Sequence, residues 1–164
     1  MELSKVTVGA GVFIIISASF MNQVWVFLEK VAGSDNLVIA CASLFAIFSI
    51  FVLAHAIKSK RGFLMILLNL TILSLVFVFA WQQPPFDERM HVLEYGFLGW
   101  LTCCDLNKYK SSLVRILLAF LFVLLIGASD EAFQVFLPYR TGDIKDVIVN
   151  AVSGAFGITL FLVR

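Results

Sequence analysis

Charge is scarce in this chain. Only 14% of its 164 residues are Asp, Glu, Lys or Arg, against 61% hydrophobic residues. A soluble domain carries roughly 25% charged residues, so composition alone excludes an ordinary water-soluble globule. The formal net charge of +1 says nothing about nucleic acid, but no basic stripe of the kind such proteins carry is present, so no nucleic-acid partner is expected. Three cysteines, Cys41 and the adjacent Cys103 and Cys104, form no CxxC or Cys/His ligand spacing, so they are read as small packing residues. Only 3 prolines interrupt the chain. No P-loop, dinucleotide fingerprint, HExxH pair or nucleophile elbow is present, and the residues name neither a metal nor a cofactor.

What the chain has in abundance is apolar length. Its mean hydropathy is +0.99 and it holds 17 phenylalanines. A helical membrane span needs about 17–25 apolar residues. The runs Val8–Leu28, Leu37–Ile57, Phe63–Trp81, Leu113–Ser129 and Ile144–Val163 meet or approach that length. A sixth run, Met90–Thr102, is shorter and opens on His91 and Glu94. The runs are continuous rather than alternating, which favours helices over a barrel. The expectation is therefore an all-α polytopic membrane bundle of about six helices, the fourth short, forming one transmembrane domain over residues 1–164. The first run lacks a clear small-residue cleavage site and is read as a span rather than a cleavable signal.

Charge bias then orients the bundle. Lys5, Lys58, Lys60, Arg61, Lys108, Lys110, Arg115 and Arg164 fall on one side, which the positive-inside tendency makes cytoplasmic. Both termini come out on that side, and six spans satisfy this. The loops Gln82–Arg89 and Asp130–Asp143 then open on the outer face. His55, near Lys58, reads as a surface residue, while Trp81, Gln82, Phe136 and Tyr139 read as part of an interfacial belt.

Polar residues crowd into the stretch from Asp130 to Gly154, and ionisable groups at membrane depth are by default functional. His91, Glu94 and Tyr95 follow an i, i+3, i+4 spacing that places them on one helix face. Asp130, Glu131 and Gln134 end the fifth run. Asp146, Asn150, Ser153, Gly154 and Gly157 form a polar-to-small stripe along the last, and its small end allows close helix approach. His91, Asp130, Glu131 and Asp146 are the candidate catalytic acids and bases. Glu94, Tyr95, Gln134, Arg140 and Asn150 are the candidate substrate-binding residues, Arg140 because its planar fork suits a phosphate or carboxylate. Asp143 and Lys145 read as surface residues near the start of the last helix.

The stretches Asp87-Glu88-Arg89-Met90-His91 through Tyr95, Asp130-Glu131-Ala132-Phe133-Gln134 through Pro138 and Arg140, and Asp146 through Asn150 to Gly157 resemble, in order and spacing, the VanZ-like family of bacterial membrane proteins. The resemblance covers the C-terminal half, making 63–164 a VanZ-like core and 1–62 two helices outside it. Glu88 stands where the family often has Lys, with Arg89 as its candidate replacement, Tyr139 where it often has Gly, and Ser153 where a first Gly often falls. The family takes its name from an accessory protein linked to resistance to teicoplanin-type glycopeptides. The resemblance therefore implies a protein of the bacterial cytoplasmic membrane whose partners are membrane lipids and a lipid-linked envelope precursor or a glycopeptide. An intramembrane acid/base enzyme, a non-catalytic binding protein, a small transporter and a purely structural polar network all remain open at this point.

Overall fold

The computed structural model describes residues 3–58, 62–83 and 86–163; the topology residues Lys60, Arg61 and Arg164 lie outside them. Seven α-helices and one 3-10 turn occur among the described residues. They are α1 (Lys5–Ser17), α2 (Met21–Ala32), α3 (Ser34–Lys58), α4 (Phe63–Trp81), α5 (Phe86–Asp105), the turn Leu106–Lys108, α6 (Ser112–Gln134) and α7 (Ile144–Val163). The all-α membrane bundle expected from the sequence is what forms.

Two helices differ from expectation. The first apolar run is not one straight span: α1 and α2 meet at a 70° bend. Ser17 and Ser19 donate their hydroxyls to the carbonyls of Ile14 and Ile16, both at 2.7 Å. Such back-bonding competes with the helical ladder and favours bending. Beyond the bend, α2 has no buried residue and ends at Gly33, whose φ of 83° only glycine adopts readily.

The fourth run lies within a longer helix, the 20-residue α5. It is not among the four described helices, or five with the bent α1–α2 pair counted as one, that are long and apolar enough to cross a membrane. Its weak hydropathy has a packing cause. Tyr95, Leu98 and Thr102 are fully buried, because α5 faces its neighbours rather than lipid.

α5 and α7 approach backbone to backbone. A Cβ placed on Gly157 would overlap the carbonyl of Gly96, and one on Gly99 would overlap that of Gly154. On its other side Gly154 receives Val123 of α6, and Gly11 brings α1 against Ile126 of α6. Phe45, Val76, Trp100 and Phe161 fill the core between α3, α4, α5 and α7. Large residues such as Phe63 and Leu64 face outward at 80% and 72% exposure, as a lipid-facing surface would.

Chain order sends α1, α3, α4, α5, α6 and α7 back and forth across the bundle. The Ser4 N–H donates to Asp105 Oδ2 at 2.7 Å, tying the start of α1 to the end of α5. Asn69 Nδ2 donates to the Val163 carbonyl at 3.1 Å, tying α4 to the end of α7. Lys5, Lys58, Lys108, Lys110 and Arg115 gather at this end of the bundle. The candidate site lies at the other. His55 is exposed as expected, with its ring centroid 6.5 Å from that of Trp100.

Candidate functional site

The last two turns of α6 build the wall of the site. Asp130, Glu131 and Gln134 are 1%, 5% and 2% exposed, so each buried polar atom needs a partner. The Tyr95 hydroxyl, on α5, donates to Asp130 Oδ2 at 3.0 Å. Gln134 Nε2 donates to Glu131 Oε1 at 3.2 Å, and the Asp143 N–H donates to Glu131 Oε2 at 3.2 Å. Arg140 Nε donates to Gln134 Oε1 at 2.9 Å. A chain of hydrogen bonds thus runs from the start of the α7 segment through Glu131 and Gln134 to Arg140, fixing where the guanidinium sits. Gly142 lets the loop fold in: a Cβ there would lie 2.5 Å from the Glu131 carbonyl.

Arg140 stands between two spaces. An open cleft of about 360 Å³ is lined by Asn22, Glu88, Gln134, Tyr139, Arg140, Thr141 and Asp146. A narrow inner cavity of about 10 Å³ lies behind it, bounded by Ile14, Ser17, Ala18, Met21, Asn22, Trp25, Met90, His91, Glu94, Asp130 and Arg140. That inner volume holds about one water-sized group. Two buried atoms of its lining residues, His91 Nδ1 and Asp130 Oδ1, have no hydrogen-bond partner among the described residues. Asn150 is fully buried beside Gly127, with neither amide atom bonded among the described residues.

The expected residues therefore separate by role. His91, Glu94, Asp130 and Arg140 meet at the inner cavity, and Gln134, Arg140 and Asp146 at the cleft. Glu131, Tyr95 and Asn150 line neither and sit in the layer behind. Arg89 does not replace the expected lysine: it lies over the Trp81 ring at 4.8 Å and donates to the Gln83 carbonyl at 3.2 Å. Glu88 lines the cleft in its own right. Asp143 accepts from the Lys145 N–H at 2.9 Å, as a residue opening a helix does. Among the described residues, no three His, Cys, Asp or Glu side chains are grouped so as to hold a metal ion.

Sequence reasoning missed the N-terminal wall. Ser17, Met21, Asn22 and Trp25 close the inner cavity, and the Tyr139 hydroxyl donates to the Ser19 carbonyl, pinning the α1–α2 bend to the α6–α7 loop. The polar group Ser17, Ser19, Asn22 and Gln23 inside the first apolar run was the available signal. Replacing Tyr139 by Phe should loosen this clasp, with a loss of about 1 kcal/mol, the worth of one hydrogen bond. Thermal unfolding of the purified variant measures it, and an unchanged midpoint would show that the clasp contributes nothing.

The family model described as VanZ/LLP1 matches residues 10–164. The chain belongs to the VanZ-like family. The match extends well beyond the C-terminal half, so the two N-terminal runs are part of the VanZ-like unit rather than an addition to it. This agrees with the way α1 and α2 wall the site. Neither curated proteins nor solved structures yielded a match.

Proposed function

We propose that this VanZ-like protein recognises the polar head of a lipid-linked or cell-envelope molecule at the outer face of the bacterial cytoplasmic membrane. The observation that carries the reading is the position of Arg140, shared by an open polar cleft and a narrow buried cavity. The Arg140 guanidinium, positioned by its bond to Gln134, lines both spaces and carries the charge and planar fork that suit a phosphate or carboxylate. The basic residues at the opposite end of the bundle support an outward-facing site. Below the site, the contact of Gly96 and Gly99 with Ser153, Gly154 and Gly157 packs α5 on α7, which argues against a transport path.

Acid/base chemistry on the same molecule is a second reading, favoured by the unpartnered His91 Nδ1 beside Asp130. In it His91 exchanges the proton and Asp130, held by Tyr95, orients it. Arg140→Gln should abolish function in cells with the folded protein retained; full function in that variant would end the proposal. His91→Asn separates the two readings, since binding kept and turnover lost supports chemistry, while both kept leaves recognition alone. A part in glycopeptide resistance is tested by teicoplanin susceptibility of cells with and without the protein, and equal susceptibility would remove it.

A further inference from the structure

The two spaces joined at Arg140 differ in what they lack. The inner cavity is lined by carboxylate acceptors: Asp130 Oδ1 is buried with no partner among the described residues, and the Glu94 carboxylate lines the same space. Asp130 is only 1% exposed, and its other oxygen is already taken by Tyr95. The cavity therefore calls for a compact group that donates several hydrogen bonds. A primary ammonium has three donors, no acceptor, and about the bulk of one water molecule.

The charges point the same way. Glu88 and Asp146 line the cleft with Arg140, while Glu94 and Asp130 continue the acidic surplus inward. A simple dianion such as a phosphate monoester meets four carboxylates across the two linings, with one arginine to offset them. A head carrying both signs meets favourable partners at both depths.

Resting on the reading that a polar head binds at Arg140, we propose that this head is zwitterionic. Its primary ammonium enters the inner cavity against Asp130 and Glu94, its anionic group meets Arg140, and the remainder occupies the cleft. A trimethylated ammonium is excluded twice, by its width and by its lack of N–H donors. The required chemistry is an ammonium one short linker away from an anion, as in an ethanolamine phosphodiester or an amino acid.

The test uses the full chain purified in an uncharged detergent, titrated with five probes. These are glycerophosphoethanolamine, glycerophosphocholine, glycerol 3-phosphate, ethanolamine and alanine. Glycerophosphoethanolamine or alanine should bind at least about tenfold more tightly than the other three, a gap of about 1.4 kcal/mol. Which of the two wins tells a phospholipid-type head from an amino-acid one. A greater thermal stabilisation in phosphatidylethanolamine than in phosphatidylglycerol nanodiscs then assigns the former to membrane lipid. Asp130→Asn should erase the preference while glycerol 3-phosphate still binds, and Glu94→Gln should weaken it if the first variant does not fold. Equal binding of glycerophosphocholine or glycerol 3-phosphate, or binding of none of the five, overturns the proposal. Arg140-dependent binding without the preference removes only this inference, whereas binding indifferent to Arg140→Gln removes the recognition site itself.

Discussion

Gly157→Val should leave almost no folded protein. The Cβ alone would fall on the Gly96 carbonyl, a backbone atom that cannot swing aside as a side-chain tip can. The helices would have to separate, and the same seam holds the Gly99–Gly154 contact and the packing of Gly154 on Val123. Ordinary overpacking costs about 1–3 kcal/mol. A clash of backbone with backbone that opens three helix contacts should exceed about 4 kcal/mol, in the range where a marginally stable protein unfolds. Gly9→Val is the control, because nothing lies within 4 Å of a Cβ built there. Detergent-purified yield and thermal unfolding compare the two. A Gly157→Val midpoint matching that of Gly9→Val would show that α5 and α7 do not pack as described.

The second large effect is expected at Asp130. Asp130→Ala removes the acceptor of the Tyr95 hydroxyl, and Tyr95 is fully buried. A buried donor left unsatisfied costs about 1–3 kcal/mol. Function should fall much further, because the same carboxylate faces the inner cavity beside His91 and Glu94. Asp130→Asn keeps an acceptor for Tyr95 and should retain most of the stability while losing function. Tyr95→Phe completes the comparison: with Asp130→Ala it should cost less than the sum of the single changes, as for two groups sharing one bond. Full additivity would mean that the pair does not interact. A functional Asp130→Asn would make the role of this carboxylate purely structural.

The residues that meet at the cavities were largely legible in the sequence, and the reason is cost. His91, Glu94, Asp130 and Asp146 are expensive within a membrane protein, so their presence and helical spacing mark a shared place. What the sequence hid was the role of residues that are cheap there. Ser17, Met21, Asn22 and Trp25 look ordinary in an apolar run, yet they close the inner cavity. Hydropathy measures preference for lipid, so it undervalued α5, whose neighbours are other helices. It also smoothed over the break in Val8–Leu28, which rests on two serine hydroxyls rather than on proline or glycine. The separation of Glu131 from the cavity lining was equally invisible, since helical spacing fixes a face and not which oxygen is already bonded.

The two ties that hold α1 have a consequence for how the molecule is made. Ser4 is bonded to a residue 101 positions later and Ser19 to one 120 positions later. The N-terminal segment is thus fully fixed only after α5 and the α6–α7 loop have emerged. Until then the bend that carries Ser17, Asn22 and Trp25 lacks its tie to the α6–α7 loop. A nascent chain halted before Tyr139 can seat α1 through Asp105 and Ile126 but cannot pin the α1–α2 bend. The candidate site is therefore a late product of synthesis, complete only once the α6–α7 loop has closed over the N-terminal bend.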